Sequence, residues 1–295
     1  MHTLILWLSK RRVFTTSVTL AYFVPNVLCH DLVQKVAVTI EKKLSLGVFN
    51  AVITTVGLPT LAVFSWFVFV RIRNRPHQRV IAAYWCFNIG LAAFSYNTLM
   101  AKNIEVLHFP QYALLTVPVF ALTMRFGETV AWVTLLGALD EAYQYLVLHR
   151  SWVGVYDFGD VILNLIGAGI GVVFIASLIE VNPAPNPGST YSLRKLIRSP
   201  AFIMTGGLLG CGIFLYLTEL LSLYPENSSR ALLVLNRRSP PPQYWLKPTP
   251  AHKFFHILHP GEAVLLLVLL TAVYIAMDNR VEAKGGEGLV SPRRD

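Results

Sequence analysis

Four of the 16 acidic residues crowd into one short stretch: Asp140 and Glu141, then Asp157 and Asp160. Gln144, Arg150 and Asn164 lie among them, and His108 and Tyr112 precede them. Carboxylates beside an imidazole can do general acid–base chemistry, which makes Asp140, Glu141, His108, Asp157 and Asp160 the candidate catalytic groups. Gln144, Arg150, Asn164 and Tyr112 are the candidate ligand-binding groups. The carboxylates could instead hold a divalent cation against a phosphate, although the pattern does not assign its ligands. A bare acidic pocket repels a lipid phosphate, so an anionic ligand needs either that metal or Arg150 with protonated His108. No motif for an organic cofactor is visible.

The elements that must position these groups are apolar. The chain of 295 residues is 54% hydrophobic and 14% charged, with a mean hydropathy of +0.53. A soluble domain averages about 25% charged residues. An all-α, polytopic membrane bundle of seven or eight spans is expected, at roughly 13–29, 47–70, 80–100, 108–124, 128–148, 158–180, 201–223 and 262–278. The first is the weakest, being short and holding Thr15, Thr16, Thr19 and Pro25. It could lie in the interface as an amphipathic segment. Residues 1–8 are apolar but short, and Lys10, Arg11 and Arg12 follow them, so no cleavable signal peptide is expected. Cys29, Cys86 and Cys211 are isolated and suggest neither a disulfide framework nor a metal motif.

Three regions follow. Residues 1–79 form an N-terminal extension with one or two spans. Residues 80–180 form a four-helix core that carries the polar motif. Residues 181–295 form a C-terminal extension with two spans and proline-rich loops at 181–200 and 224–261, expected to be extended without a compact fold.

Formal net charge is +9, but the basic residues sit in loops between spans, so topology explains them and nucleic acid is not an expected partner. Lys10–Arg12, Arg71, Arg73, Arg75 and Arg79, the Arg194–Arg198 cluster and the basic C-terminal stretch all fall on one side if eight spans are counted. Basic loops stay in the cytoplasm, which puts both termini inside and the loops at 101–108 and 149–157 outside.

Helical geometry then builds one site. Asp140 and Gln144 are neighbours on one helix face, as are Glu141 and Gln144. Asp157, Asp160, Asn164, Gly167 and Gly171 fall within an arc of roughly 80° on the next helix. Glu141 lies ~13 Å below Arg150, and Asn164 ~10 Å below Asp157, so the polar groups are level on antiparallel helices. Gly167 and Gly171 suit close packing. The expected result is a polar cleft opening outward. The competing reading is a buried hydrogen-bonded network that only pins helices together. Intramembrane ionisable groups are rare and usually functional, which favours the cleft. Glu219 could join it. His256 and His259 are two histidines without a third ligand, and Asn88 and Asn97 suit helix–helix hydrogen bonding.

The stretch 105–171 resembles the VanZ-like family of bacterial membrane proteins. The resemblance rests on Glu105-x-x-His108-Phe109-x-x-Tyr112, Asp140-Glu141-x-x-Gln144, Arg150, and Asp157-x-x-Asp160-x-x-x-Asn164-x-x-Gly167-x-x-x-Gly171. It covers the core and leaves the flanking spans outside. It implies a multi-pass protein of the bacterial cytoplasmic membrane, with the lipid bilayer as partner and a link to glycopeptide resistance. A site that binds or acts on a cell-envelope component, such as a lipid-linked precursor, or on a glycopeptide antibiotic follows as the expectation. An ion-coupled transporter and a structural scaffold stand as alternatives.

Overall fold

The computed structural model describes residues 1–75, 77–148, 155–179, 181–183, 198–225, 229–237, 244–250, 252–278 and 280–283. Arg150 and much of both proline-rich loops lie outside the described residues. The described chain is dominated by α-helices: α1 (His2–Ser9), α2 (Arg12–Leu28), α3 (His30–Leu44), α4 (Leu46–Ile72), α5 (Gln78–Thr98), α6 (His108–Thr123), α7 (Phe126–Tyr143), α8 (Phe158–Leu178), α9 (Pro200–Leu217) and α10 (Pro260–Asp278). A short 3-10 turn, Asn103–Leu107, leads into α6, and a π-type turn, Gln144–Leu148, prolongs α7.

Each of the eight apolar stretches in the sequence folds as a helix. Five segments are both long and apolar enough to cross a membrane: Leu46–Ile72, Asn103–Thr123, Phe158–Leu178, Pro200–Leu217 and Pro260–Asp278. α2 and α3, bent by 47° at Cys29, make a sixth if they are joined. The count falls short of seven or eight for local reasons. α7 carries Glu128, Asp140 and Glu141, α5 is diluted by Gln78, Arg79, Asn88 and Asn97, and α2 alone has 17 residues.

α8 is the axis of the packing. It lies against α6 and α7 along most of its length, and α5 and α10 also touch it. Its apolar window is 83% buried, against 6% for α4 and for α9. The apolar sides of α4 and α9 therefore face outward, while α8 is enclosed by protein. Small residues explain why α8 can be central: Gly167, Ala168, Gly169 and Gly171 let neighbouring backbones approach closely. One continuous apolar core includes Trp85, Tyr112, Phe120, Phe126, Val130, Leu165, Val172 and Tyr274. It joins helices from both extensions to the core: α1 and α2 pack on α6, and α10 packs on α7.

The connections hold more structure than an extended loop. Val181–Pro183 (β1) pairs antiparallel with Val281–Ala283 (β6). Leu221–Ser222 (β2) pairs parallel with Leu233–Val234 (β3), and Trp245–Leu246 (β4) antiparallel with Phe255–His256 (β5). Within the second proline-rich loop, the described parts are extended and joined in short pairs by backbone hydrogen bonds. The segment around β3 is bonded to described residues on either side of the α7–α8 connection: Tyr156 N donates to Leu235 O at 2.9 Å and Tyr145 Oη to Val234 O at 2.5 Å.

Candidate functional site

Three helix ends meet at one face of the bundle. The 3-10 turn sets the direction of α6, because the Glu105 carboxylate accepts from the backbone of Ala101 and Lys102, each at 3.0 Å. His108 then opens α6, and Tyr112 follows one turn later on the same side; their rings lie nearly parallel, 6.3 Å apart. α7 presents Asp140 and Glu141 in its last turn and Gln144 where the helix widens into the π-type turn. Such turns recur at functional sites because they re-aim side chains within a helix. α8 starts with Asp157 as its N-cap, whose carboxylate accepts from Asp160 N at 3.2 Å.

The side chains join across the helices. Tyr112 Oη donates to Asp140 Oδ2 at 2.9 Å. Gln144 Nε2 lies 3.2 Å from both Asp140 Oδ1 and Glu141 Oε1, so one amide holds two carboxylates. His108 Nδ1 meets Asn164 Oδ1 at 2.7 Å, and its Nε2 lies 3.6 Å from Asp160 Oδ1. Asn164 Nδ2 is buried without a partner. It points at Gly137, where a Cβ would stand 2.7 Å from that nitrogen. A Cβ on Gly167 would lie 2.9 Å from the carbonyl oxygens of His108 and Phe109, so glycine sets the α6–α8 approach that brings His108 to Asn164.

Exposure grades along the cluster. Asp157 is exposed and the Asp160 side chain is 18% accessible. His108 is 7% exposed, Glu141 3%, Asp140 1% and Asn164 0%. The arrangement is a polar cluster, called the cleft below, that is acidic and exposed at Asp157 and closed at Asn164. Tyr156 forms part of its wall, donating to Ala138 O at 2.9 Å and stacking edge-on against Tyr145 and Phe158. Beside the mouth a second polar knot ties α4, α5 and the C-terminal loop together. Asn103 bonds Asn50, Thr54 and Tyr96, and Lys253 Nζ donates to Asn103 Oδ1 at 2.9 Å. Burial lowers the pKa of Lys253, and the Glu105 charge works the other way.

Of the nine candidate residues, His108, Tyr112, Asp140, Glu141, Gln144, Asn164, Asp157 and Asp160 gather in this cleft. Arg150 lies outside the described residues. Among the described residues no group of three or more His, Cys, Asp and Glu side chains is arranged to hold a metal ion. The carboxylates turn to Gln144, Tyr112 and His108 instead of converging on one point. Glu219 is exposed at the end of α9, outside the cluster. His256 pairs with Glu262 at 3.1 Å, and Asn88 accepts from Tyr274 Oη at 2.6 Å, joining α5 to α10. Glu105, Gly137 and Tyr156 also belong to the site. Glu105 opens the first motif of the resemblance, three residues before His108, and Gly137 lies three residues before Asp140 on the same helix face. Tyr156 carries no such mark in the sequence.

An apolar hollow of ≈ 230 Å³ is lined by Phe23, Val24, Val27 and Leu28 of α2 and by Leu139 and Tyr143 of α7. Another, of ≈ 400 Å³, lies beyond the end of α7, lined by Leu146, Leu232, Leu233, Val234 and Arg237. Fold and site thus define an all-α protein with membrane-length helices around one buried polar cleft. No protein-family model, curated protein or solved structure matches the chain.

Proposed function

We propose that this is a VanZ-like protein of the bacterial cytoplasmic membrane, with seven or eight spans, both termini in the cytoplasm and the cleft opening outward. The cleft binds or acts on a cell-envelope component, or on a glycopeptide-type antibiotic directed at one. One observation carries this reading: the motif residues of α6, α7 and α8, such as His108 and Asn164, which are 56 positions apart, converge on a single buried network with an open acidic mouth. The hollow between α2 and α7 adds support for a lipid-linked ligand. Leu139 and Tyr143 line it and flank Asp140 and Glu141 in sequence, so an apolar tail and a polar head could be held side by side.

A second reading, ion-coupled transport, is favoured by the graded exposure of the carboxylates from Asp157 to Asp140. Uptake driven by an ion gradient in liposomes separates it from the first. The central test is complementation of a deletion strain with Glu141→Gln and Arg150→Ala, scored beside an immunoblot. Glu141→Gln keeps the side chain's shape but removes its charge. Loss of the phenotype at unchanged abundance is the expected result. Full complementation by both variants would leave the cleft as a structural network and end the proposal.

A further inference from the structure

We infer that α3 lies in the membrane–water interface on the face that carries the cleft, with its apolar side among acyl chains and its lysines on anionic lipid headgroups. The inference rests on the reading of the chain as a bilayer protein and assigns a lipid-binding element that the motif core does not contain.

α3 is an amphipathic helix packed the wrong way round for water. Leu32, Val33, Val36, Ile40 and Leu44 share an arc of roughly 120°. All five face outward, Leu32 at 61% exposed and Leu44 at 40%. The edge turned toward the protein carries Asp31, Gln34, Ala37, Val38 and Glu41, which are half-buried. A helix in water would bury the first set and expose the charged and amide members of the second. In the interface the same placement is favourable, since the apolar side enters the acyl boundary while polar groups stay at headgroup level.

α3 does not fit as the second half of a span. It leaves the α2 axis by 47°, and Ser45, with a φ of 67°, breaks the path into α4. A span through it would carry Asp31, Lys35, Glu41, Lys42 and Lys43 to membrane depth, at high cost. It is anchored beside the cleft instead: Glu41 pairs with Lys102 at 2.6 Å, and Lys102 N is one of the donors held by Glu105.

Charge selects the headgroup. Both carboxylates of α3 are already neutralised, Asp31 by Lys35 at 2.5 Å and Glu41 by Lys102. Lys42 and Lys43, in the last turn, are exposed and form no ion pair among the described residues. Lys42 lies beside the apolar arc and Lys43 within it at its last turn, from where a lysine stem can carry its ammonium up to headgroup level. Two free ammonium groups there match a layer of net negative charge better than a zwitterionic one.

The experiment uses the full chain in vesicles, with Cys29, Cys86 and Cys211 replaced by serine. Nitroxide labels are placed on single cysteines at Leu32, Val36, Ile40, Lys35 and Lys42, and at Val63 of α4 as a bilayer reference. Collision with oxygen, which concentrates in lipid, is compared with collision with a water-soluble nickel chelate. Oxygen should dominate at positions 32, 36, 40 and 63, and nickel at 35 and 42. In phosphatidylcholine vesicles containing phosphatidylglycerol, nickel access at position 40 should fall below its value in phosphatidylcholine alone. Lys42→Gln with Lys43→Gln should abolish that fall. Nickel dominance at 32, 36 and 40 with oxygen dominance at 63 would overturn the inference while leaving the bilayer reading standing. Labels at 32, 36 and 40 shielded from both reagents would mean a protein cover and would overturn it equally. Nickel dominance at 63 would remove the bilayer reading itself. Equal behaviour in the two vesicles would overturn the headgroup assignment.

Discussion

Asn164 decides how His108 can act. Its Oδ1 faces His108 Nδ1 at 2.7 Å, while its Nδ2 is buried against Gly137 with no acceptor. Turning the amide over places Nδ2–H on His108 Nδ1 and the oxygen against the Gly137 backbone. A buried donor without a partner costs about 1–3 kcal/mol, whereas a carbonyl oxygen beside a Cα–H is tolerated. The turned amide is therefore favoured. It makes Nδ1 the acceptor and leaves the Nε2 proton facing Asp160, which suits His108 to deliver a proton at the half-open end of the cleft. The expected observation is a nitrogen-15 spectrum in which His108 carries its proton on Nε2. Asn164→Ala should remove that preference and destabilise the fold by about 1–3 kcal/mol. A protonated Nδ1 in the native protein would sink this assignment. Asn164 was legible as a site residue because its face is shared with Asp157 and Asp160. Its grip on the imidazole was not, since hydrogen-bond partners on separate helices leave no mark in local spacing.

Helices were legible where apolar runs were unbroken, and obscure where charge interrupted them. The run that became α8 is apolar apart from Asp160 and Asn164 near its start and was placed nearly to the residue. α3 carries Asp31, Lys35, Glu41, Lys42 and Lys43 and was passed over as the connection between two spans. Its amphipathic period was present but did not resemble a span. The paired segments β2–β3 and β4–β5 are two residues long each, too short for any alternation to show. The helix-end contact between Asp278 and α7 was equally hidden, because the partners lie 152 and 151 positions apart. Asp278 at the end of α10 accepts from Phe126 N at 2.7 Å and Gly127 N at 2.9 Å, satisfying two donors at the start of α7 and placing negative charge at its positive end. Asp278→Ala should therefore cost about 1–2 kcal/mol, read as a lower melting temperature in detergent, with α7 loosened at the end away from the cleft. Gly137→Ala tests the opposite end of the same helix. The new methyl would press on Asn164 and should cost about 1–3 kcal/mol while shifting the His108 resonances. An unchanged His108 spectrum in Gly137→Ala would show that α7 and α8 have more room than their packing indicates.

At the scale of the whole molecule, the distribution of charge predicts a direction for the chain in the proposed membrane setting. The loop between α4 and α5 lies on the face opposite the cleft: Arg75 donates to Ile179 O, at the far end of α8, at 2.9 Å. Arg71, Arg73, Arg75 and Arg79 crowd this short connection, and Lys10, Arg11 and Arg12 lie before α2. The face with the cleft is also basic. It carries the lysines of α3 and Lys102, and Lys247 and Lys253 in its long loop. The two sets do not weigh equally. Short, dense basic loops hold a chain in the cytoplasm, whereas basic residues in a long loop count little. Those of α3 are, on the interfacial assignment, engaged with lipid headgroups. The expected orientation has position 73 inside and position 247 outside. With the native cysteines removed, a membrane-impermeant maleimide added to intact cells should label Lys247→Cys and leave Arg73→Cys untouched until the cells are opened. Labelling at 73 alone would invert the molecule. The acidic mouth at Asp157 and Asp160 would then face the cytoplasm, where an extracellular antibiotic could not reach it, and only a ligand from the inner leaflet could enter the cleft.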